Sequence, residues 1–341
     1  MASRPLSLAI LGATGAVGRT VLQVLEDRDT PVKSLKLLAS ERSQGTVLEF
    51  KGEELPVEPL KPGVFQGCDV AIFSAGSAVS REWAPKAWAE GCAVVDNSSA
   101  FRADPEVPLV VPEVNPEALA GFRAKGLVAN PNCAVTPLLV ALQPLHRAAG
   151  IERLVVSTYQ SVSGAGQKAV EQLEGEAHAL MNGAEPDAPH QIPYRIAFNL
   201  VPQIGAFVEG GETEEERSIA AESRRILGAP GLRVSATAVR VPIFYGHSWS
   251  VNLATGRKLS AGEARELLKQ APGVKLVDDL KERIYPMPLL AVNDDAVLVG
   301  RVREDASQEH GLALFVVADN LRKGAATNAV QLAELLGEKY L

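Results

Sequence analysis

The sequence predicts an α/β protein of two domains, and three observations carry that expectation. An apolar strand at the N-terminus runs into a glycine-rich crossing and a helix; further short strands end in small polar residues; and long valine-rich strands are concentrated in the second half. The length of 341 residues, 46% of them hydrophobic and 22% charged, is enough chain for two cores without covalent staples. Cys68, Cys92 and Cys133 show neither CxxC pairing nor metal-ligand spacing, which argues against a disulfide framework or a zinc site and for a reducing, cytoplasmic compartment. No metal is expected. The formal net charge of −7 lends no support to nucleic-acid binding, so an anionic ligand would need a local cluster of arginines or backbone amides. No apolar run reaches the roughly 18 residues that span a membrane.

Residues 6–11 read as a buried strand and residues 17–25 place apolar side chains at helical spacing. The short apolar stretch after Arg4 is too brief for a secretory signal and belongs to the fold. Gly12-Ala13-Thr14-Gly15-Ala16-Val17-Gly18 lies on the crossing between strand and helix. Glycines there let the backbone approach a pyrophosphate, and the helix start supplies N–H groups and positive potential. The GxxGxxG spacing suits plain strand–helix packing as well, and by itself it does not choose between the two. A second strand over 35–39 leads into Ser40-Glu41-Arg42-Ser43, about 20 residues downstream, where a ribose-binding group is expected. Arg42 with Ser40 and Ser43 suits a 2′-phosphate and hence NADP, while Glu41 would suit the free hydroxyl of NAD. Strands over 69–74 and 93–96 end in Ser74-Ala75-Gly76-Ser77 and Asn97-Ser98-Ser99, with a helix over 81–90 between them. Small polar groups at strand carboxyl ends line the ligand crevice of open parallel sheets. Arg102, just beyond, could neutralise an anionic substrate or simply be a solvated surface residue.

Asn130-Pro131-Asn132-Cys133 places a cysteine at the start of an expected helix running from 136 to 149, where unpaired N–H groups and the macrodipole favour a thiolate. A lone cysteine is as readily a small buried hydrophobe. A strand over 153–160 then enters the turn Ser161-Val162-Ser163-Gly164-Ala165-Gly166, a second place for close backbone approach to a cofactor. Strands over 232–244, 248–253, 296–302 and 312–318, with helices over 261–270 and 321–339, predict a helix-backed, mostly antiparallel sheet. Thr213 and Glu216 have capping-box spacing with Gly228 closing that helix, and 182–193 reads as irregular loop.

Five motifs in order now stand together: Gly12 to Gly18; Asn97-Ser98-Ser99-Ala100-Phe101-Arg102; Pro131-Asn132-Cys133; Tyr159-Gln160 with the small-residue turn through Gly166; and Arg240-Val241-Pro242 followed by Gly246-His247. Across essentially the whole chain this pattern resembles the aspartate-semialdehyde dehydrogenases. Within that family, Phe244-Tyr245-Gly246-His247 and Ala197-Phe198-Asn199-Leu200 look most like the Usg-type paralogue branch.

The resemblance implies an N-terminal Rossmann-like NADP-binding domain over 1–131, completed by a C-terminal helix at 321–341, and an α+β catalytic and dimerisation domain over 132–320. It implies Cys133 as nucleophile, Gln160 as its orienting group, His247 as general acid/base, and Arg240 as a bidentate clamp on a substrate carboxylate. Arg102, Glu215 and Asn132 would help bind substrate and phosphate. Gly12, Thr14, Gly15, Ala16, Val17, Gly18, Ser40, Arg42, Ser43, Ser74, Gly76, Ser163, Gly164 and Asn320 would bind the cofactor, NADP or alternatively NAD. The implied reaction is reversible oxidation of an aldehyde through a Cys133 thioester to an acyl phosphate, in a homodimer. Two departures stand out: Ser218 occupies the position of a family lysine three residues after Glu215, and Asn320 replaces a glutamine near the nicotinamide. Besides the phosphorylating dehydrogenase, a related acyl-phosphate reductase with another substrate and a nucleotide-binding dimer with little turnover remain in view.

Overall fold

Strand β1 (Leu6–Leu11) is buried along its whole length, as the centre of a parallel sheet requires. In the computed structural model, which describes residues 4–341, it lies at the middle of a seven-stranded sheet. Following β1 come α1 (Ala16–Asp27), β2 (Val32–Ala39), β3 (Val47–Phe50), β4 (Glu53–Pro59), β5 (Val70–Phe73), α2 (Ser77–Ala89), β6 (Ala93–Asp96) and β7 (Leu127–Ala129). The order is β3-β4-β2-β1-β5-β6-β7, parallel throughout except for β3 against β4. Chain direction across the sheet diverges at β1, whose neighbours are β2 and β5, so their carboxyl ends form the switch point at which such sheets bind ligands. The C-terminal helix Thr327–Lys339 belongs here: Ala329, Val330, Leu332, Ala333 and Leu336 join Leu6, Leu8 and Ile10 in one core. Asn132 ends this compact unit's main segment and Ala325–Leu341 completes it.

The second unit, Cys133–Gly324, opens with a turn and α3 (Thr136–Ala149), then β8 (Ile151–Gln160), α4 (Gln167–Met181), α5 (Glu214–Ile226), β9 (Arg233–Arg240), β10 (His247–Thr255), α6 (Ala261–Gln270), β11 (Val274–Leu276), β12 (Val297–Glu304) and β13 (Gly311–Ala318). Its six-stranded sheet runs β11-β12-β13-β10-β8-β9. The three central pairings are antiparallel, while β11 with β12 and β8 with β9 pair in parallel. Both halves of the Thr213–Glu216 capping box form at the start of α5, and a second box, Ser260 with Glu263, starts α6.

Several expected boundaries move for identifiable reasons. The strand expected over 232–244 stops at Arg240, because Pro242 has no N–H to continue the ladder. The helix expected from 81 begins at Ser77, with Gly76 at φ 90° supplying the entry that a side chain would resist. The expected continuous helix over 321–339 begins with a π-turn, Arg322–Ala326, before the α-helix.

The β1–α1 crossing depends on two glycines. Gly12 has φ +88°, and a Cβ there would stand 2.5 Å from the Ser74 carbonyl oxygen; a Cβ on Gly18 would stand 2.3 Å from the Gly12 carbonyl oxygen. The opposing atoms are backbone and cannot swing aside. Gly12→Ala is expected to cost about 3 kcal/mol through overpacking and backbone strain. A urea midpoint equal to that of the unsubstituted protein, with unchanged slope, would contradict this packing.

Candidate active site

Sheet register assembles the second unit's site. Gln160 and Arg240 are direct partners across the parallel β8–β9 pair. Tyr159 pairs with Ser248 and Ala318 with His247, so the ends of β8 and β9, the start of β10 and the end of β13 meet at one edge of the sheet. Gln160 is thereby brought to the same end of the sheet as Arg240 and His247, which lie far from it in sequence.

Cys133 lies in the turn just ahead of α3, whose N-cap is Val135, and α3 spans the range expected from the sequence. The turn is anchored by the fully buried Trp249, whose Nε1 donates to the Ala134 carbonyl at 2.9 Å. Gly324 of the π-turn lies against it: a Cβ there would stand 3.1 Å from the Cys133 Cβ. Cys133 Sγ is 3.7 Å from His247 Nε2, within reach of a hydrogen bond to sulfur. His247 is 0% exposed, and burial followed by the Arg240 charge pushes its pKa well below the ordinary imidazole value, against a smaller opposing bond with the Gly246 backbone. The ring is therefore neutral near neutral pH and can take up a proton.

Arg240 is 6% exposed and its Nη1 donates to the Ser161 carbonyl at 2.7 Å. Burial pulls its pKa down, while Cys133 and Glu215 pull the other way. A guanidinium stays charged regardless, so the site holds a fixed cation beside its sulfur. One guanidinium nitrogen is thus engaged within the protein, which the picture of a simple carboxylate fork did not include. Gln160, 1% exposed, donates from Nε2 to Glu215 Oε1 at 3.0 Å and to Thr158 Oγ1 at 3.3 Å. Gly164 faces the same point: a Cβ there would lie 2.9 Å from Arg240 Nη1 and 3.1 Å from His247 Nε2. On α5, Ser218 Oγ donates to Glu222 and Arg217 Nη2 donates to the Glu209 carbonyl at 2.9 Å. Asn320 is 1% exposed, its amide turned toward Ser161, Ser163 and Gly246.

In the first unit the glycine loop and the ribose-side turn come together, with Thr14 Oγ1 3.3 Å from Ser43 Oγ. Ser40 precedes the short turn Glu41–Ser43, which carries the exposed Arg42. Gly15 is the N-cap of α1 and offers no side-chain cap to Ala16, Val17 and Gly18 behind it; Gly76 does the same for α2. Ser74 Oγ accepts from Asn97 Nδ2 at 2.7 Å. Close backbone approach at Gly12 and an uncapped helix start fit a pyrophosphate. Arg102 is no loose surface residue: Nε donates to the Asn130 carbonyl at 2.9 Å and Nη2 to the Asn97 carbonyl at 2.7 Å. Asn132 is buried. Sequence reasoning missed the amide chain in which Asn328 donates to Asn130 at 2.6 Å and Asn130 to Asn97 at 2.7 Å. It also missed Ser161, although that residue stands in the small-residue turn after β8. Among the described residues no group of three or more His, Cys, Asp or Glu could hold a metal ion.

Residues 7–122 match the family model described as semialdehyde dehydrogenase, NAD binding domain, and residues 142–323 match semialdehyde dehydrogenase, dimerisation domain. An aspartate-semialdehyde dehydrogenase from Aquifex aeolicus is 54% identical over 335 residues, 98% of each chain. This chain belongs to the aspartate-semialdehyde dehydrogenase family. Aspartate semialdehyde dehydrogenase II from Vibrio cholerae, solved complexed with ASA, superposes with a TM-score of 0.97 at 46% identity, covering 99% of this chain and 100% of that one. The aspartate semialdehyde dehydrogenase with NADP from Candida albicans aligns at a TM-score of 0.74 and 25% identity, covering 98% and 99%. The family's two-domain organisation, a Rossmann-type unit followed by a dimerisation unit, is the one seen here.

The buried imidazole yields a direct test. Its pKa is lowered, so as pH falls through about 6.5, where an ordinary histidine gains its proton, His247 is expected to remain neutral. Histidine NMR titration reads this out, and a His247 resonance titrating at the ordinary value would refute the burial argument.

Proposed function

We propose that this protein is an NADP-dependent phosphorylating aldehyde dehydrogenase that interconverts L-aspartate 4-semialdehyde, phosphate and NADP⁺ with aspartyl phosphate and NADPH, the biosynthetic flow being the reductive one. The observation that carries the reading is the 3.7 Å approach of Cys133 Sγ to a buried, neutral His247 beside the Arg240 cation. The Cys133 thiolate attacks the aldehyde carbon, and Nε2 of His247 takes up the proton given up by the sulfur. Arg240 holds the substrate carboxylate through its remaining donors, and Gln160, steadied by Glu215, orients the bound acyl group. Glu215 also offers a carboxylate to the substrate ammonium group, with Asn132 beside the nucleophile in sequence. Arg102 is assigned to phosphate, which releases the acyl group from sulfur as an acyl phosphate. A thioester suits both halves, since it is activated toward nucleophiles and its thiolate leaves readily.

The bound nicotinamide would supply the two-electron chemistry by accepting or returning hydride. The residues that would hold the cofactor are the Gly12–Gly18 crossing with Thr14, the Ser40, Arg42 and Ser43 turn, Ser74 and Gly76. Ser163, Gly164 and Asn320 would serve the nicotinamide end. Arg42 in an exposed turn next to the glycine loop supports NADP over NAD. The match to a dimerisation domain supports a homodimer, and the half-exposed Tyr159 with Phe315, ring centroids 6.3 Å apart, offers sheet-face surface for it. Buried Cys68 and Cys92, whose thiols are held protonated by burial, support a cytoplasmic protein. Among the described residues no helix is long and apolar enough to cross a membrane. High identity to relatives named aspartate-semialdehyde dehydrogenase favours this activity over a paralogue with little turnover.

Purified protein with aspartate semialdehyde, phosphate and NADP⁺ is expected to produce NADPH absorbance, and Cys133→Ser is expected to abolish it. A signal that survives in Cys133→Ser would rule out the thioester route. Ser218→Lys, restoring the cation to a half-buried helix position, is expected to lower the KM for phosphate about threefold. An unchanged KM would place the phosphate contact elsewhere.

A further inference from the structure

Nδ1 of His247 faces two groups of a single residue that make opposite demands on it. The backbone N–H of Ser161 lies 3.2 Å away and Ser161 Oγ 3.1 Å away. The N–H can only donate, so it favours a ring with Nδ1 bare and the proton on Nε2. The hydroxyl can instead accept from Nδ1–H, provided its own hydrogen has another destination.

Asn320 supplies that destination. Its Oδ1 lies 3.1 Å from Ser161 Oγ, and a carbonyl oxygen cannot donate, so the hydrogen of this contact is the hydroxyl's; Ser163 Oγ, 3.0 Å from Ser161 Oγ and 3.2 Å from the same Oδ1, is the second hydroxyl of the cluster. The orientation of the amide is set independently. Gly246 N–H, which is only a donor, points at the same oxygen from 3.1 Å, and Nδ2 donates to Ser163 Oγ at 3.1 Å. Asn320, Ser161 and His247 are all essentially buried, so bulk water does not compete for these bonds.

The chemistry decides which ring form is useful. A base that takes the Cys133 proton at Nε2 must begin with Nε2 bare, which is the Nδ1–H tautomer; the imidazolium that results carries hydrogen on both nitrogens. In this step the S–H bond breaks, an Nε2–H bond forms, and no hydrogen passes to Ser161. Nδ1–H is present before and after the transfer and needs an acceptor in both states. We infer that the Asn320–Ser161 hydroxyl relay holds His247 in the Nδ1–H tautomer against the competing Ser161 backbone N–H, making Ser161 and Asn320 positioning residues for the acid/base. The inference rests on the reading of Cys133 and His247 as the reacting pair. It also gives Asn320 work inside the protein, apart from any contact with the cofactor.

The test is the tautomer itself, read by NMR of full-length protein labelled with ¹⁵N-histidine at a pH where the ring is neutral. The unsubstituted protein is expected to show a protonated Nδ1 and a bare Nε2. Ser161→Ala, which keeps the backbone N–H and removes the hydroxyl, is expected to reverse that pattern and lower kcat by about 10²-fold. KM should stay within about twofold, because substrate binding is not what was removed. Ser161→Thr restores a hydroxyl and is expected to recover Nδ1–H and most of kcat. An Nε2–H ring in the active, unsubstituted enzyme would overturn the relay while leaving the dehydrogenase reading intact, and so would Ser161→Ala that keeps both Nδ1–H and full kcat. An inactive protein with Nδ1–H would support the relay and sink the dehydrogenase reading instead.

Discussion

The register of four strands, β9, β8, β10 and β13, is the constraint on which the second unit's chemistry depends. Arg240 ends β9 opposite Gln160, His247 begins β10 opposite Ala318, and Asn320 follows two residues later. Because side chains alternate faces, a slip of one residue between any two of these strands would turn a site residue to the wrong side of the sheet. The hydrophobic alternation that buries Trp249, Val251 and Leu253 on β10 therefore also aims His247. Packing and catalysis are set by the same choice of register.

Burial then gives the aligned groups their chemical character. An exposed imidazole would be partly protonated near neutral pH, whereas His247 is held neutral by desolvation and by the adjacent Arg240. Arg240 is itself expensive to bury, and its cost is offset by the Ser161 carbonyl and by attraction to Glu215 and Cys133. Glu215 is in turn tied to Gln160, so charge, orientation and fold are linked through a short set of contacts. Gly164 completes the arrangement by leaving the space that a methyl group would take from both Arg240 and His247.

Much of this was legible in the sequence, where local rules and ordered motifs agree. The Gly12–Gly18 crossing, the Thr213–Glu216 capping box, the strand carrying Gln160 and the antiparallel centre of the second sheet follow from spacing and pattern. What escaped was decided by contacts distant in sequence. No local signal around Cys133 registers that Trp249 fixes the Ala134 carbonyl in the turn before α3. Nor does any local signal assign Asn320 to Ser161 and Gly246, or tie Arg102 to the carbonyls of Asn97 and Asn130. The π-turn at Arg322–Ala326 is likewise a tertiary matter, since Gly324 seats against Cys133 there.

The seclusion of the His247 ring has a kinetic corollary. A side chain with no solvent exposure has no water at hand to trade hydrogens with. On the proposed route, a hydrogen that His247 takes from sulfur can reach the medium only when the residues around the ring move aside.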